Sequence, residues 1–209
     1  MNELLIIGAR GFGREVYFAA IESLGFKKDY IVKGFLDDKA DALADFPGYP
    51  PIIDSVEKYT PKENDVFICA LGDVSQKAKY SKIILDKGGT FTNIIHKEAY
   101  ISPNSRLGKG CIVLARTRIS CDIKVGDFVT FQPFGMIGHD CRIGDNCHLN
   151  SHIFLGGGVT IENNVTIHTG AIIHPHKKVG EGATVGAGSF VGRNVKPHTT
   201  VFGMPAMEI

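Results

Sequence analysis

The sequence predicts two structural parts, a small α/β domain over residues 1–96 and a parallel β-helix over residues 97–209. Two observations support this division. In the first part, short apolar runs alternate with helical patterns, which is the order expected of a parallel sheet with crossover helices. In the second part, a large apolar residue recurs every six residues, a period that fits neither an α-helix nor an ordinary strand.

The α/β domain begins with a strand, a glycine loop and a helix. The apolar run Glu3–Ile7 has strand character, and the loop Gly8–Gly13 follows at once. Apolar residues then recur at helical spacing over Arg14–Leu24. This order presents backbone N–H groups and a helix N-terminus to a phosphate. Because the glycines follow G-x-x-G-x-G and not the dinucleotide pattern G-x-G-x-x-G, a plain tight turn stays open as an alternative.

The second predicted strand, Ile31–Leu36, ends in the acidic pair Asp37 and Asp38. In doubly wound folds an acid at the tip of the second strand hydrogen-bonds a ribose. A solvated turn is the alternative, and the residues alone do not decide between them. The remaining predicted elements are the strand Val66–Leu71, the helix Ser75–Lys87 and the strand Thr90–Ile95. Together they make about half of a Rossmann-like dinucleotide fold, enough for a mononucleotide.

The β-helix prediction rests on sixteen consecutive positions, six residues apart from Ile101 to Val191, that all carry an aliphatic residue or phenylalanine. A smaller residue often lies four positions later, and a glycine often follows directly. In a hexapeptide repeat the large residue fills the interior, the small residue lets the corner close, and successive coils stack. We expect about five coils, ending near Pro197 and Phe202–Pro205. Since no long insertion interrupts the repeat, an active site is expected on the coil itself or between chains.

Charge and composition exclude several function classes. The net charge is +1 with acids and bases mixed along the chain, so nucleic acid and anionic membranes are not expected partners. The first residues are too short and acidic a stretch for a signal peptide, and no apolar run approaches the ~20 residues of a membrane span. Three of the five cysteines, Cys111, Cys141 and Cys147, fall on the small inward phase of the repeat. We interpret them as reduced core thiols of a cytoplasmic protein.

Six of the eight histidines lie between His139 and His176. Residues eighteen apart stack in successive coils, and no two of these histidines have that spacing, which disfavours a metal site. His139 is followed directly by Asp140, and a carboxylate beside an imidazole fixes its tautomer and raises its basicity. His139 is therefore a candidate general base, with an ordinary surface corner as the alternative interpretation.

Several motifs occur together along the whole chain: the glycine loop, Phe35–Asp38, Ile95–Ala99, Gly138–Gly144 and Gly203–Ala206. In this combination the sequence resembles the bacterial sugar acetyltransferases of the sialic acid O-acetyltransferase type, which include enzymes that acetylate UDP-4-amino sugars. The resemblance implies a left-handed β-helix, a homotrimer, and active sites between neighbouring β-helices. It also implies acetyl-CoA as co-substrate and no metal.

The resemblance assigns roles by motif position. His139 would be the general base and Asp140 its orienting acid, where many relatives carry glutamate. His148 would contact the thioester or pantetheine arm, and the Gly157 N–H would face the developing oxyanion. The other expected contacts are Thr169 and Ala187 with acetyl-CoA, and Gly8, Gly11, Gly13, Asp37 and Asp38 with the nucleotide sugar. Arg10 stands where relatives often have a small residue.

The predicted function is therefore acetyl-CoA-dependent acetylation of a sugar, with the amino group of a UDP-linked 4-amino sugar preferred as acceptor. Sialic acid or another sugar hydroxyl is an alternative acceptor. Two further alternatives are a β-helical metalloenzyme of the carbonic anhydrase kind and a non-catalytic scaffold or nucleotide-sugar sensor, because fold does not fix function. The acyl chain length is left open.

Overall fold

A computed structural model describes the whole chain, residues 1–209, and divides it into two compact units, Met1–Lys97 and Glu98–Ile209. The division expected from the sequence, between residues 96 and 97, lies one residue earlier.

The first unit is a five-stranded parallel sheet with two helices. Its elements are β1 (Asn2–Ile7), α1 (Gly11–Ile21), β2 (Tyr30–Leu36), β3 (Ile52–Asp54), β4 (Asp65–Cys69), α2 (Val74–Asp86) and β5 (Thr90–Phe91), followed by the short β6 (Ile94–Ile95). The strand order is β3-β2-β1-β4-β5, and every pair is parallel. The chain thus winds in both directions from β1, whose residues Leu4, Leu5 and Ile6 are fully buried.

Three elements of this unit differ from the sequence prediction. Helix α1 begins at Gly11 rather than Arg14, because the glycine loop already supplies its first turn and the Arg14 amide donates to the Arg10 carbonyl (3.0 Å). Strand β3 was missed because it follows a proline-rich loop directly. The strand predicted over Thr90–Ile95 is split in two, since the chain leaves the sheet after the Thr92 amide bonds to the Phe67 carbonyl (3.1 Å).

A buried acid, Asp65, lies at the start of the inner strand β4. The Asp65 carboxylate accepts hydrogen bonds from the Lys33 ammonium (2.7 Å), the Tyr59 hydroxyl (2.6 Å) and the Lys62 amide (2.8 Å). Burial by itself raises the pKa of Asp65, but these three donors outweigh it and the pKa is lowered. Burial and the bond to Asp65 raise the pKa of Tyr59 to about 12.

The second unit is a parallel β-helix of two-residue strands. They are β7 (Tyr100–Ile101), β8 (Arg106–Leu107), β9 (Ile112–Val113), β10 (Arg118–Ile119), β11 (Lys124–Val125), β12 (Thr130–Phe131), β13 (Met136–Ile137), β14 (Arg142–Ile143), β15 (His148–Leu149), β16 (Phe154–Leu155), β17 (Thr160–Ile161), β18 (Thr166–Ile167), β19 (Ile172–Ile173), β20 (Lys178–Val179), β21 (Thr184–Val185) and β22 (Phe190–Val191). Each strand pairs with the strand three places later, so that residues eighteen apart lie side by side, as Ile119 and Ile137 do.

This pairing builds three faces, each a parallel sheet. The first face contains β7, β10, β13, β16, β19 and β22, the second contains β8, β11, β14, β17 and β20, and the third contains β9, β12, β15, β18 and β21. We call the turn from the first to the second face the first corner, the turn from the second to the third face the second corner, and the turn from the third back to the first face the third corner. The coil is therefore triangular, as the six-residue period predicts.

The interior is filled by the repeated apolar residues. From Val113 to Val191 every one of them is buried, whereas Ile101 and Leu107 in the first coil are partly exposed. The thiols of the predicted core cysteines donate to carbonyls of the neighbouring coil, for example Cys141 to Gly156 (3.2 Å). All five cysteines are free thiols.

The coil continues past Val191 and ends near Phe202–Pro205, as predicted. Val195 forms a bridge to Val179 on the second face, and β23 (Thr200–Gly203) pairs with β21 on the third. Strand β24 (Ala206–Glu208) then folds back antiparallel on β23. Pro197 therefore lies within the last coil. This coil is two residues shorter than the others, because Val185 pairs with Ile167, eighteen residues before it, but with Val201, only sixteen residues after it.

Candidate active site

His139 and Asp140 lie side by side at the first corner, between β13 and β14. The imidazole Nδ1 is 2.7 Å from the Asp140 carboxylate Oδ2, and both side chains are largely exposed. Asp140 adopts a left-handed backbone conformation, with φ 59°. When Nδ1 donates its hydrogen to the carboxylate, Nε2 carries the lone pair and is free to accept a proton.

The coils on both sides hold this pair in place. The His139 carbonyl accepts from the Gly158 amide (2.8 Å), and the Asp140 amide donates to the Cys121 carbonyl of the preceding coil (3.1 Å). Gly157 lies eighteen residues after His139 at the same corner, directly beneath the imidazole: a Cβ placed on Gly157 would be 2.6 Å from Nε2. The structure therefore brings His139, Asp140 and Gly157 together.

The other residues that the sequence assigns to acetyl-CoA lie elsewhere on the chain. Thr169 and Ala187 are exposed at the third corner in successive coils, and the Thr169 carbonyl accepts from the Gly188 amide (2.9 Å). His148 is in β15 on the third face, and its side chain is only 4% exposed. Within one chain, Thr169 and Ala187 are separated from His139 by the width of the first face.

An apolar stripe runs along the outside of that first face. Its side chains come from the first residue of each strand, eighteen residues apart: Tyr100, Arg118, Met136, Phe154, Ile172 and Phe190. Tyr100, Met136, Phe154 and Ile172 are between 38% and 51% exposed. An exposed apolar patch of this kind marks an interaction surface. The six-residue period does not reveal this stripe, which appears only when the residue before every third large apolar position is compared.

The second face is different in character. The corresponding positions carry mostly basic and polar side chains: Arg106, Lys124, Arg142, Thr160 and Lys178. The apolar stripe is therefore a property of one face and not of the repeat as a whole.

In the α/β unit, a cavity of about 270 Å³ opens at the carboxyl ends of β1, β2 and β4. Doubly wound sheets bind ligands at this place, where the chain winds away from the central strand in both directions. The cavity contains four of the five residues predicted to bind the nucleotide sugar. Its lining residues are Gly8, Arg10, Phe12, Gly13, Leu36, Asp37, Asp38, Ala70, Leu71 and Gly72. The fifth, Gly11, lies in an adjoining cavity of about 280 Å³ together with Arg10, Arg14 and Lys39.

The two acidic residues at the end of β2 have different partners. The Asp37 carboxylate accepts from the Ala9 amide (2.8 Å) and from the Lys39 amide (2.9 Å), so it fastens the glycine loop to the second strand. The Asp38 carboxylate accepts from the Tyr80 hydroxyl of α2 (3.0 Å), and this bond raises the pKa of Tyr80 to about 12. Tyr80 was missed because nothing in the sequence links it to a residue 42 positions earlier.

Two glycines of the loop serve different purposes. A Cβ on Gly13 would overlap the Gly8 carbonyl, so glycine is needed there for α1 to pack against β1. A Cβ on Gly11 would meet nothing within 4 Å. Helix α1 begins without a side-chain cap at Arg10, and the N-terminus of a helix favours an anion.

No group of three or more histidine, cysteine, aspartate or glutamate side chains is arranged to hold a metal ion within the chain. Neither helix has the length and apolar character needed to cross a membrane.

Comparison with known protein families finds two matches. Residues 3–84 match the PglD N-terminal domain, and residues 90–184 match the GMPPB C-terminal domain. A stretch of 97 residues, 46% of this chain, is 32% identical to an uncharacterized protein of Acanthamoeba polyphaga mimivirus; the chain spans about a fifth (19%) of the length of that curated relative.

Solved structures resemble the chain over its whole length. PerB from Caulobacter crescentus, solved in complex with CoA and GDP-perosamine, matches with a TM-score of 0.90 and 27% sequence identity, covering 100% of this chain and 98% of PerB. WeeI from Acinetobacter baumannii AYE matches with a TM-score of 0.87 and 25% identity, covering 100% of both chains.

These matches confirm the predicted Rossmann-like domain and left-handed β-helix. With both parts present in this order, the first matching the PglD N-terminal domain, and a likeness that extends from end to end, the chain resembles the PglD-type sugar acetyltransferases of the hexapeptide-repeat acyltransferase superfamily.

Proposed function

We propose that this protein transfers the acetyl group of acetyl-CoA to the amino group of a nucleotide-linked sugar, with His139 as general base. The observation that carries this proposal is the 2.7 Å contact between His139 Nδ1 and the Asp140 carboxylate, with the opposite ring edge against Gly157. The likeness to PerB, whose structure holds CoA and GDP-perosamine, supports the choice of both substrates.

The chemistry needs one base and one oxyanion donor. The sugar amine loses a proton as its nitrogen attacks the thioester carbonyl, and Nε2 of His139 accepts that proton while Asp140 holds Nδ1–H. The Gly157 N–H donates to the oxygen that becomes negative in the tetrahedral intermediate, and collapse then expels the CoA thiolate.

No acyl-enzyme is required, and the buried cysteines are poorly suited to form one. Burial raises the pKa of both Cys69 and Cys141 to about 11, so these thiols stay protonated at neutral pH. Their position in the core, together with the free state of all five cysteines, also supports the predicted cytoplasmic location.

The α/β unit is proposed to bind the nucleotide part of the acceptor. Its cavity joins the uncapped start of α1, suited to a phosphate, to Asp37 and Asp38, suited to ribose or base N–H and O–H groups. We take a UDP-linked 4-amino sugar as the first candidate. A GDP-linked amino sugar is the direct competitor, because PerB was solved with one.

We further propose a homotrimer in which the apolar stripes of the first faces meet. Burying Met136, Phe154 and Ile172 would remove three exposed apolar side chains of one face from water. In such a trimer the first corner of one chain lies beside the third corner of the next. Acetyl-CoA would then bind along Thr169 and Ala187 of one chain with its thioester at His139 of the neighbour.

Acceptor and mechanism are tested together by incubating the purified protein with acetyl-CoA and a panel of acceptors while free CoA thiol is measured. The panel contains a UDP-4-amino-4,6-dideoxy sugar, GDP-perosamine and free sialic acid. We expect release with one amino-sugar nucleotide and a product that resists hydroxylamine, as an amide does and an ester does not. His139→Ala is expected to lower kcat by about 10²–10⁴-fold, whereas His198→Ala, at the second corner, keeps it.

Each other outcome has a definite meaning. Near-normal turnover by His139→Ala would remove this residue from the mechanism. Release with sialic acid and a hydroxylamine-sensitive product would change the assignment to an O-acetyltransferase. Binding of the nucleotide sugar without any CoA release would favour a sensor.

A further inference from the structure

We infer that Gly157 is a positioning residue for His139: the absence of a side chain at this position creates the seat on which the imidazole rests. This inference rests on the proposed function, because it gives His139 a task that depends on the position of its ring. It adds a second role to Gly157, separate from the N–H that it offers to the oxyanion.

The seat is visible in the distances. A Cβ on Gly157 would lie 2.6 Å from Cε1, 2.6 Å from Nε2 and 3.2 Å from Cδ2 of His139. The first two separations are too short for carbon and nitrogen atoms that are not bonded, so ring and side chain cannot occupy this space together. The edge that would be displaced is the one that carries Nε2, the proton-accepting atom.

Backbone conformation gives no other reason for this glycine. Many glycines at the corners have a positive φ, for example Gly158 at 68° and Gly170 at 73°, but Gly157 does not. An L-residue could therefore adopt its backbone conformation without strain. The three atoms nearest to the added Cβ all belong to the His139 ring, so the ring alone excludes a side chain here.

The direction of contact is also particular to this pair. In two other places a histidine ring covers a glycine of the preceding coil: His176 covers Gly158 at the first corner, and His198 covers Gly182 at the second. His139 instead reaches forward to the following coil. Its Nε2 atom therefore lies over the residue whose N–H is proposed to donate a hydrogen bond to the oxyanion. The base and the oxyanion donor can then act on the same reacting group.

A displaced ring would lose its anchor while the fold survives. Main-chain bonds to Gly158 and Cys121 fix the backbone of His139 and Asp140, so the imidazole can move only by side-chain rotation. Such rotation breaks the 2.7 Å contact between Nδ1 and the carboxylate. Because the ring is 62% exposed, solvent offers it room to turn away. A side chain at 157 is therefore expected to impair the base and not the coil.

The test compares Gly157→Ala with Gly135→Ala. A Cβ on Gly135 would meet its nearest neighbours at 3.6–3.8 Å, which is ordinary contact. We expect Gly157→Ala to lower kcat by ~10²-fold, the size of effect that a 1 Å misplacement of a reacting group produces. The KM for acetyl-CoA and the melting temperature should change little, and Gly135→Ala should match the wild type. The ¹⁵N signals of the His139 ring should report loss of the Nδ1–H bond to Asp140.

A double-mutant cycle separates this role from the oxyanion role. If Gly157 acts through the ring, adding Gly157→Ala to His139→Ala should change the residual rate less than about threefold, because the ring is already gone. An equal loss in both backgrounds would overturn the inference, and so would wild-type kcat in Gly157→Ala. A normal rate in His139→Ala would instead refute the proposed base, while the ring signals would still decide whether Gly157 seats the imidazole.

Discussion

Replacing Asp140 with asparagine probes how much the base depends on its carboxylate. Asparagine has nearly the same shape and tolerates the left-handed conformation of residue 140, so the corner should keep its backbone. Both members of the pair are more than 60% exposed. Loss of the ion pair should therefore cost less than about 1 kcal/mol of folding free energy.

The effect on the reaction should be larger. A hydrogen bond to a charged group contributes roughly 1.5–3 kcal/mol, and one between neutral groups roughly 0.5–1.5 kcal/mol. Replacing the carboxylate by an amide should therefore weaken the stabilisation of the imidazolium, which forms as His139 takes the proton, by about 1.5 kcal/mol. This corresponds to about tenfold in kcat. An asparagine NH₂ turned toward Nδ1 would also select the tautomer whose Nε2 carries hydrogen, so we expect a total loss of about 10–30-fold.

The assay is steady-state CoA release at saturating acceptor, with the KM for acetyl-CoA measured alongside. The matched control is Asp122→Asn. Asp122 occupies the same corner one coil earlier with a similar φ of 60°, but the residue before it is a cysteine and not a histidine. Its carboxylate accepts a hydrogen bond from the Asn104 side chain (2.6 Å). A kcat for Asp140→Asn within twofold of the wild type would refute the reasoning. So would an equal loss in Asp122→Asn, since that would indicate a general effect on the corner.

Four further predictions concern the fold and assembly. Gly13→Ala should destabilise the α/β unit by about 1–3 kcal/mol through overlap with a carbonyl, whereas Gly11→Ala, with open space around its Cβ, should leave the melting temperature unchanged. Asp65→Asn should lower the free energy of unfolding in urea by about 1–3 kcal/mol, because the Tyr59 hydroxyl and the Lys62 amide lose a charged acceptor while the Lys33 ammonium keeps only its ion pair with the partly exposed Glu3. Since the pKa of Tyr59 rises from 10.0 to about 12 on folding, its contribution to stability is complete below pH 10 and is lost as pH rises toward 12. Phe154→Glu should separate the proposed trimer in sedimentation velocity and abolish CoA release without unfolding the chain.

Contrary results would be specific. Equal melting temperatures for the two glycine variants would show that the helix can shift away from β1. An unchanged urea midpoint for Asp65→Asn would mean that the buried network contributes no net stability. A trimeric and active Phe154→Glu protein would show that the first face is not the interface.

The regular part of the fold was predictable because it is strictly periodic. One residue type every six positions defines the interior of a coil, so the residues from Val113 to Val191 could be placed inside without any long-range information. The pair His139 and Asp140 was found for a similar reason, since neighbours in sequence are neighbours at a corner. What the six-residue pattern does not show directly is the eighteen-residue pattern that builds each face, and the apolar stripe was overlooked for that reason.

Contacts within the α/β unit were less predictable, because they join segments that are distant in sequence. The Asp37 carboxylate was expected either to bind a ribose or to lie in a solvated turn, and in the structure it accepts a hydrogen bond from the Ala9 amide. The Tyr80 partner of Asp38 depends on where α2 crosses the sheet, which no local motif encodes. The seat that Gly157 provides likewise depends on which way the His139 ring leans, a matter of side-chain rotation rather than of repeat position.

The hairpin at the end of the coil has a consequence for self-association. A solenoid that stopped at β23 would end in a row of N–H and C=O groups, ready to receive the first coil of another copy and so to grow into a filament. Strand β24 occupies those groups on the third face and runs in the opposite direction, with Val201 paired to Glu208. The outer edge of β24 is only three residues long and carries the Glu208 carboxylate. On the third face, the stacking of coils within one molecule therefore does not continue into a second molecule.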